Sequence, residues 1–390
     1  MVSRRVVVLH NFYRSENASG ENLSVLDEVD GLRELGWDVE FVSADSDVIA
    51  DGGVPLHELA LRPIRSGPSI ARVEDTLRRF RPHVALVENL FPLHSPWVIR
   101  TLRSAGVPVA AGVRSYRMFC AKANLYRDGR VCRDCVGSMA NLPAIRHGCF
   151  QDSTANTVPM AISLRVHRGT FRSIDRLLPV SEHVADELVG AGFDRSRITV
   201  RPNFVADAGR REVTDGDGYL FAGRLTDEKG VEVLLEAWRR SGMGRGDVLR
   251  VVGSGPLAGL VDEYAADGVE SLGLVDHQRA LELIEASAVT VVPSLWPEPF
   301  GRGVIEAAAC SRPSLVSAVG GVGDLVDDGV TGWVAAPDVE SWSDGLRRAA
   351  DPAARRRLGD AARDRFEQRY TREVSLGVLD RALDDLRRRR

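Results

Sequence analysis

A chain of 390 residues, 44% hydrophobic and 27% charged, can bury more than one core, which excludes a disordered or fibrous protein and favours two domains. Its net charge of −4 offers no field to hold a polyanion, and no basic stripe is interleaved with aromatics, which argues against nucleic acid as a partner. The apolar run at 6–9 is too short for a signal-peptide core and no stretch reaches membrane-spanning length, so the expected location is the cytoplasm.

Short β-branched runs alternate with helical patterns from the start: a strand over 5–9, a helix over 23–35 and a strand over 39–43. That is βαβ spacing, which implies a parallel sheet. Strands over 84–87 and 107–113 extend it, and another over 177–180 runs into Ser181, a helix N-cap. These elements make a first Rossmann-like domain over 1–203, with a cysteine-rich insertion at about 117–175. After Pro202-Asn203 the pattern restarts, with strands over 219–222, 249–252, 290–292 and 315–317, giving a second Rossmann-like domain over 204–370. The last segment, 371–390, sets Leu376, Leu379, Leu383 and Leu386 on one helical face that needs a surface, expected on the first domain. The predicted class is α/β, two Rossmann-like domains facing a central cleft, with ligand at the carboxyl ends of the strands.

Two motifs in the second half carry chemistry. The strand ending at Ala222 leads into Gly223-Arg224-Leu225-Thr226-Asp227-Glu228-Lys229-Gly230. Two cations at the mouth of a parallel strand suit a diphosphate, whose departure builds negative charge. Lys229 is one of only two lysines, with Lys122, in an arginine-rich chain whose composition is that of a GC-rich bacterial genome. A solvated charge pair beside a helix start is the bland reading. Further on, Trp296-Pro297-Glu298-Pro299-Phe300-Gly301-Arg302-Gly303 opens a helix that carries Glu306. Such a turn exposes amides to hydroxyls or phosphate oxygens, and both carboxylates can accept hydrogen bonds from sugar and ribose hydroxyls. For Glu306 alone, a carboxylate answering the helix dipole explains as much.

The series Gly223-Arg224, Glu228-Lys229-Gly230, Gly253-Ser254-Gly255-Pro256, Pro293-Ser294, Glu298-Pro299-Phe300-Gly301 with Glu306, and Gly320-Gly321 resembles family four of the glycosyltransferases, retaining enzymes of GT-B fold, over nearly the whole chain. The resemblance implies sugar transfer from a nucleotide-sugar donor, a UDP- or GDP-sugar, to a sugar-containing or hydroxyl acceptor. It also implies retention of configuration, the leaving diphosphate acting as base, and no catalytic metal. By the same resemblance Arg224 and Lys229 bind the diphosphate, Glu298 and the amides from Phe300 through Gly301 to Arg302 hold the sugar, and Glu306 binds ribose. Gly223, Gly253 and Gly255 line the donor site, and the loop Ser19-Gly20-Glu21 approaches the phosphates from the other domain. The chain departs from the pattern on the acceptor side, with Arg114-Ser115-Tyr116-Arg117 where relatives carry His-Asn-Tyr-Arg, and Glu88 before Asn89 in place of an early histidine. Arg114, whose planar fork suits carboxylate or phosphate, and Asn89 are therefore the acceptor-side candidates, Arg114 for an acidic group.

Cys120, Cys132, Cys135 and Cys149 lie in the insertion, and four thiolates would close a structural zinc site. An iron–sulfur or redox role, and thiols packed in a loop, are the other readings. The run Arg387 to Arg390 offers a weak contact to anionic lipid, although basic residues also suit a helix C-terminus. A non-catalytic nucleotide-sugar binder or scaffold, and an epimerase or hydrolase of the same fold, are the competing functions.

Overall fold

Strands buried on both faces of a parallel sheet read as continuous apolar runs, and Val6 to Leu9 have no solvent exposure at all. The structure, a computed structural model, describes residues 4–15, 20–138, 141–207, 209 and 216–389. Ser19 of the expected phosphate loop and Arg390 of the basic run lie outside the described residues.

The chain forms two compact units, one of Met1–Leu125, Arg133–Pro202 and Ser375–Arg390, the other of Tyr126–Cys132 and Asn203–Val374. In the first, β1 (Arg4–Phe12), β2 (Trp37–Asp45), β3 (Val84–Val87), β4 (Val109–Val113) and β7 (Arg176–Pro179) form a parallel sheet in the order β2-β1-β3-β4-β7. A two-stranded antiparallel ladder, β5 (Tyr126–Arg127) with β6 (Arg130–Val131), falls between them in sequence. Ser181 caps the helix Glu182–Gly190 as expected, accepting from the Val184 amide at 3.2 Å. The helix Arg372–Arg388 buries Leu376, Leu379, Leu383 and Leu386, and from Ser375 onward it belongs to the first unit. There Asp380 binds Arg4 at 2.8 Å and the Trp37 indole N–H at 2.7 Å, while the Ser375 hydroxyl donates to the Pro202 carbonyl at 2.6 Å.

The second unit holds β8 (Tyr219–Ala222), β9 (Leu249–Val252), β10 (Val269–Gly273), β11 (Val289–Val292), β12 (Ser314–Ser317) and β13 (Gly332–Ala335). They form a parallel sheet in the order β10-β9-β8-β11-β12-β13. Tyr219, Trp238, Leu249, Val289, Leu315 and Trp342 are among the side chains of its core. Both sheets are doubly wound, and each has a point where the strand order reverses, between β1 and β3 in one and between β8 and β11 in the other. Loops leaving two such strands diverge to opposite faces and open a crevice at their carboxyl ends, which is where ligands of these folds bind.

Candidate functional site

The second unit's reversal point collects both donor motifs. The loop after β8 makes a short 3-10 turn, Asp227–Lys229, closed by Gly230 at φ 71°. An added Cβ at Gly230 would stand 1.9 Å from the Pro293 carbonyl oxygen, so this glycine lets the two loops touch. The result is a pairing across 69 residues: Lys229 Nζ donates to Glu298 Oε1 at 2.8 Å, with the side chains 17% and 13% exposed. The Ser294 hydroxyl donates to the other Glu298 oxygen, and the Trp296 ring centroid lies 5.4 Å from Lys229 Nζ. The Trp296 indole N–H is buried with no partner among the described residues. The Leu295 amide donates to the Glu228 carbonyl at 2.9 Å and the Gly321 amide to the Glu298 carbonyl at 2.7 Å, which fixes the loop backbone.

Arg224 projects into solvent, 66% exposed, with Glu228 3.1 Å away as its ion-pair partner. The Gly253 amide donates to the Gly273 carbonyl, and a Cβ on Gly253, at φ 145°, would fall 1.8 Å from the Gly223 carbonyl oxygen. Gly253 and Gly223 thus bring the loops after β9 and β8 into contact, with Gly255 following in the same stretch. Phe300 is buried edge-on against Tyr370, ring centroids 6.0 Å apart, and Gly301 precedes the helix Arg302–Ala309. Within that helix Arg302 Nε donates to Glu306 Oε1 at 2.9 Å, and His277 Nε2 lies 3.8 Å from the same oxygen. His277, Ser294 and Trp296 were not among the expected site residues. Tyr126, on β5, was not either; its hydroxyl donates to Asp227 Oδ2 at 2.9 Å, beside Lys229. His277 and Tyr126 carry no local signal, because their partners Glu306 and Asp227 lie far away in sequence.

At the first unit's reversal point a small cavity of about 50 Å³ is lined by Glu21, Glu88, Asn89, Arg114, Ser115 and Arg117 among others. Both acceptor-side candidates are engaged within the chain. Arg114 Nε donates to Glu88 Oε2 at 3.1 Å and Nη2 to Glu28 Oε1 at 2.5 Å. Arg201 completes a square, reaching Glu28 at 2.6 Å and Glu88 at 3.2 Å, and no side chain of the four is more than 5% exposed. Burying a charge is costly unless it is paired, and in this square each arginine answers both carboxylates. Asn89 likewise spends its amide on the chain, donating to the Asn11 and Phe91 carbonyls at 2.9 and 3.1 Å. Gly20 begins the helix Gly20–Glu34. On its first turn Glu21 accepts from the Tyr13 hydroxyl at 3.0 Å, and burial pushes its carboxyl up to about 6.

The zinc expectation is not supported. Cys120, Cys132, Cys135 and Cys149 are each half-buried thiols, and among the described residues no three His, Cys, Asp or Glu side chains are grouped to hold a metal ion. A Cys-x2-Cys spacing gives a site only if the outer cysteines fold onto it. Among the described residues no helix is long and apolar enough to cross a membrane.

Comparison with known proteins bears on the family and the fold. Residues 208–365 match the family described as Glycosyl transferases group 1, and residues 19–203 match Glycosyl transferase 4-like domain. The glycogen synthase of Mycobacterium tuberculosis is 34% identical over 225 residues, 53% of this chain and 54% of that protein. The D-inositol 3-phosphate glycosyltransferase of Mycolicibacterium smegmatis is 31% identical over 242 residues, 55% of each. The chain thus spans about half the length of these curated relatives. Among solved structures, a sucrose-phosphate synthase from Thermosynechococcus elongatus superposes with TM-score 0.73 at 20% identity, over 99% of this chain and 100% of that one. HepE of Anabaena in complex with UDP-glucose superposes with TM-score 0.66 at 16% identity, over 98% and 99%. With both halves matched and two Rossmann-like sheets in place, the chain belongs to the group 1 glycosyltransferases and has their GT-B fold.

Proposed function

We propose that this chain transfers a glycosyl group from a UDP- or GDP-sugar to a hydroxyl of a polysaccharide, lipid or small natural-product acceptor, with retention at the anomeric carbon and without a catalytic metal. The observation that carries the reading is the Lys229–Glu298 contact of 2.8 Å at the strand-order reversal. A cation and a carboxylate set side by side can be turned, one to the diphosphate and the other to the sugar hydroxyls, of a single ligand that bears both. In this reading Lys229 and Arg224 take the diphosphate, Glu298 and the amides around Gly301 take the sugar, and Glu306 takes ribose.

The bond from the anomeric carbon to the diphosphate oxygen breaks, the acceptor oxygen bonds that carbon on the same face, and the acceptor proton passes to the departing diphosphate. Arg224 and Lys229 stabilise the charge that builds on the leaving group more than they stabilise the ground state. The first unit serves as the acceptor domain. Because Arg114 is already neutralised by two carboxylates, its cavity suits a neutral hydroxyl group better than an anionic one. UDP-glucose in the Anabaena structure makes uridine the first donor base to test.

The test is thermal stabilisation by a panel of nucleoside diphosphates with and without EDTA, followed by transfer assays. One diphosphate should stabilise the wild type in EDTA and leave Lys229→Ala unmoved, and Glu298→Gln should keep the fold while turnover falls about 100-fold or more. Normal turnover in Glu298→Gln, or equal stabilisation of Lys229→Ala, overturns the site.

A further inference from the structure

The first unit holds a second basin, about 540 Å³, at the other end of its sheet, where β4 and β7 begin. Four arginines from four separate segments converge on it. Arg103 comes from the helix Trp97–Ser104, Arg176 is the first residue of β7, Arg197 closes the turn Arg195–Arg197, and Arg389 follows the helix Arg372–Arg388. The acidic side chains in the lining are Asp175 and Asp194. Asp175 accepts from Arg103 and, at 2.9 Å, from the Val109 amide; Asp194 accepts from the Ser196 amide and hydroxyl at 2.9 and 2.8 Å.

The remaining arginines are poorly compensated. Arg197 Nε stays 3.9 Å from Asp194. Arg176 reaches only the Ser196 carbonyl and the Thr199 hydroxyl, both at 3.3 Å, and its Nε is buried with no partner among the described residues. Arg389 is exposed and makes no ion pair among the described residues. Four arginines against two aspartates leave two positive charges in the basin, in a chain whose net charge is −4. A solvated arginine face accounts for Arg389 and Arg197, but not for Arg176, half-buried in the cavity wall with a carbonyl and a hydroxyl as its partners and no carboxylate among the described residues.

We propose that this basin is a phosphate-binding site, separate from the donor site, for a phosphorylated small molecule or a phosphorylated lipid headgroup. A phosphate monoester carries roughly −1.5 to −2 charges near pH 7 and three acceptor oxygens, which matches the excess of two charges and the forked guanidinium donors. A single carboxylate would leave one positive charge uncompensated. The volume exceeds what inorganic phosphate needs and falls in the range of small-ligand pockets, with Val107, Pro108 and Leu386 supplying apolar wall.

Thermal shifts with inorganic phosphate and glycerol 3-phosphate, acetate as control, and flotation with phosphatidic acid–phosphatidylcholine vesicles against phosphatidylcholine alone test this. Wild type, Arg176→Gln/Arg389→Gln and Lys229→Ala are compared, with Arg389→Gln alone as the variant in which only an exposed side chain changes. Phosphate probes should stabilise the wild type and Lys229→Ala equally, acetate should not, and apparent affinity should fall at least about tenfold in the double variant and severalfold in Arg389→Gln. Flotation with the anionic vesicles assigns the phosphate to a headgroup; stabilisation by glycerol 3-phosphate without flotation assigns it to a free metabolite. A phosphate effect kept by the arginine variants and lost in Lys229→Ala belongs to the donor site and overturns the proposal. Equal stabilisation by acetate, or neither stabilisation nor flotation, overturns it as well. The arginine variants leave the donor residues intact, so either result stands apart from the transfer reading.

Discussion

At the scale of single residues, the informative group is the square of Glu28, Glu88, Arg114 and Arg201. Each arginine touches both carboxylates, so removing one charge leaves an unpaired one in a dry environment, typically at a cost of about 3–5 kcal/mol. Arg114→His or Glu88→His alone should each destabilise the protein by roughly that amount. The double change keeps Glu28 paired with Arg201 and should cost clearly less than the sum, a coupling that chemical denaturation of the four-member cycle measures. Additive losses would mean that the two positions do not act as a pair. The sequence shows both departures from the family pattern but not that they meet, because Arg114 lies 86 positions from Glu28 and Arg201 lies 113 from Glu88. No local periodicity connects residues so far apart, so the sequence alone does not show Arg114 held between two carboxylates.

At the scale of elements, the decisive unit is a strand, a tight turn and a helix. β8 delivers Gly223 and Arg224 to the carboxyl edge, the 3-10 turn reverses the chain, and Gly230 starts the helix Val231–Ser241. Gly230→Ala adds a Cβ against the Pro293 carbonyl and a residue in the left-handed region, which alone costs about 1–2 kcal/mol. Stability should drop by at least that much, and donor diphosphate affinity should fall as well, since the turn that carries Lys229 must move; denaturation and titration with the diphosphate read the two effects. This element was legible, because an apolar strand, a glycine-closed turn and a helix follow one another within a few residues. β10 and β13 were not. β10 has a single buried residue, Val269, and sits at the sheet edge, where the apolar run that marks a central strand is not required. In β13, Gly332 interrupts the apolar pattern.

At the scale of the whole molecule, pH tests the burial that folding imposes. His10 and His94 have no solvent exposure, and burial, the main cause in both, lowers each pKa to about 4 from the usual 6.5. Below pH 6.5 the unfolded chain binds protons that the folded chain refuses, so stability present above 6.5 is lost as pH falls towards 4, by up to roughly 3 kcal/mol per histidine. Glu21, raised to about 6, works in the opposite sense: its folding penalty is present above about 6 and fades as pH falls through 6 towards 4.5. Denaturation midpoints measured from pH 8 to 4 should decline below 6.5, and His10→Gln/His94→Gln should flatten that decline. A midpoint as steep in the variant as in the wild type would place the acid sensitivity elsewhere.

What the sequence by itself determined is what short range determines: the βαβ alternation, the Ser181 cap, the apolar face of the last helix and the motifs at 223–230 and 298–306, each contained within a few turns or one loop. Only the tertiary structure decided which of those charges face each other. Strand order places the loop after β8 beside the loop after β11, so Lys229 meets Glu298. It also places the ends of β3 and β4 beside the helix Gly20–Glu34, so Arg114 is neutralised. Such pairings depend on sheet topology, to which contacts between sequence neighbours contribute little.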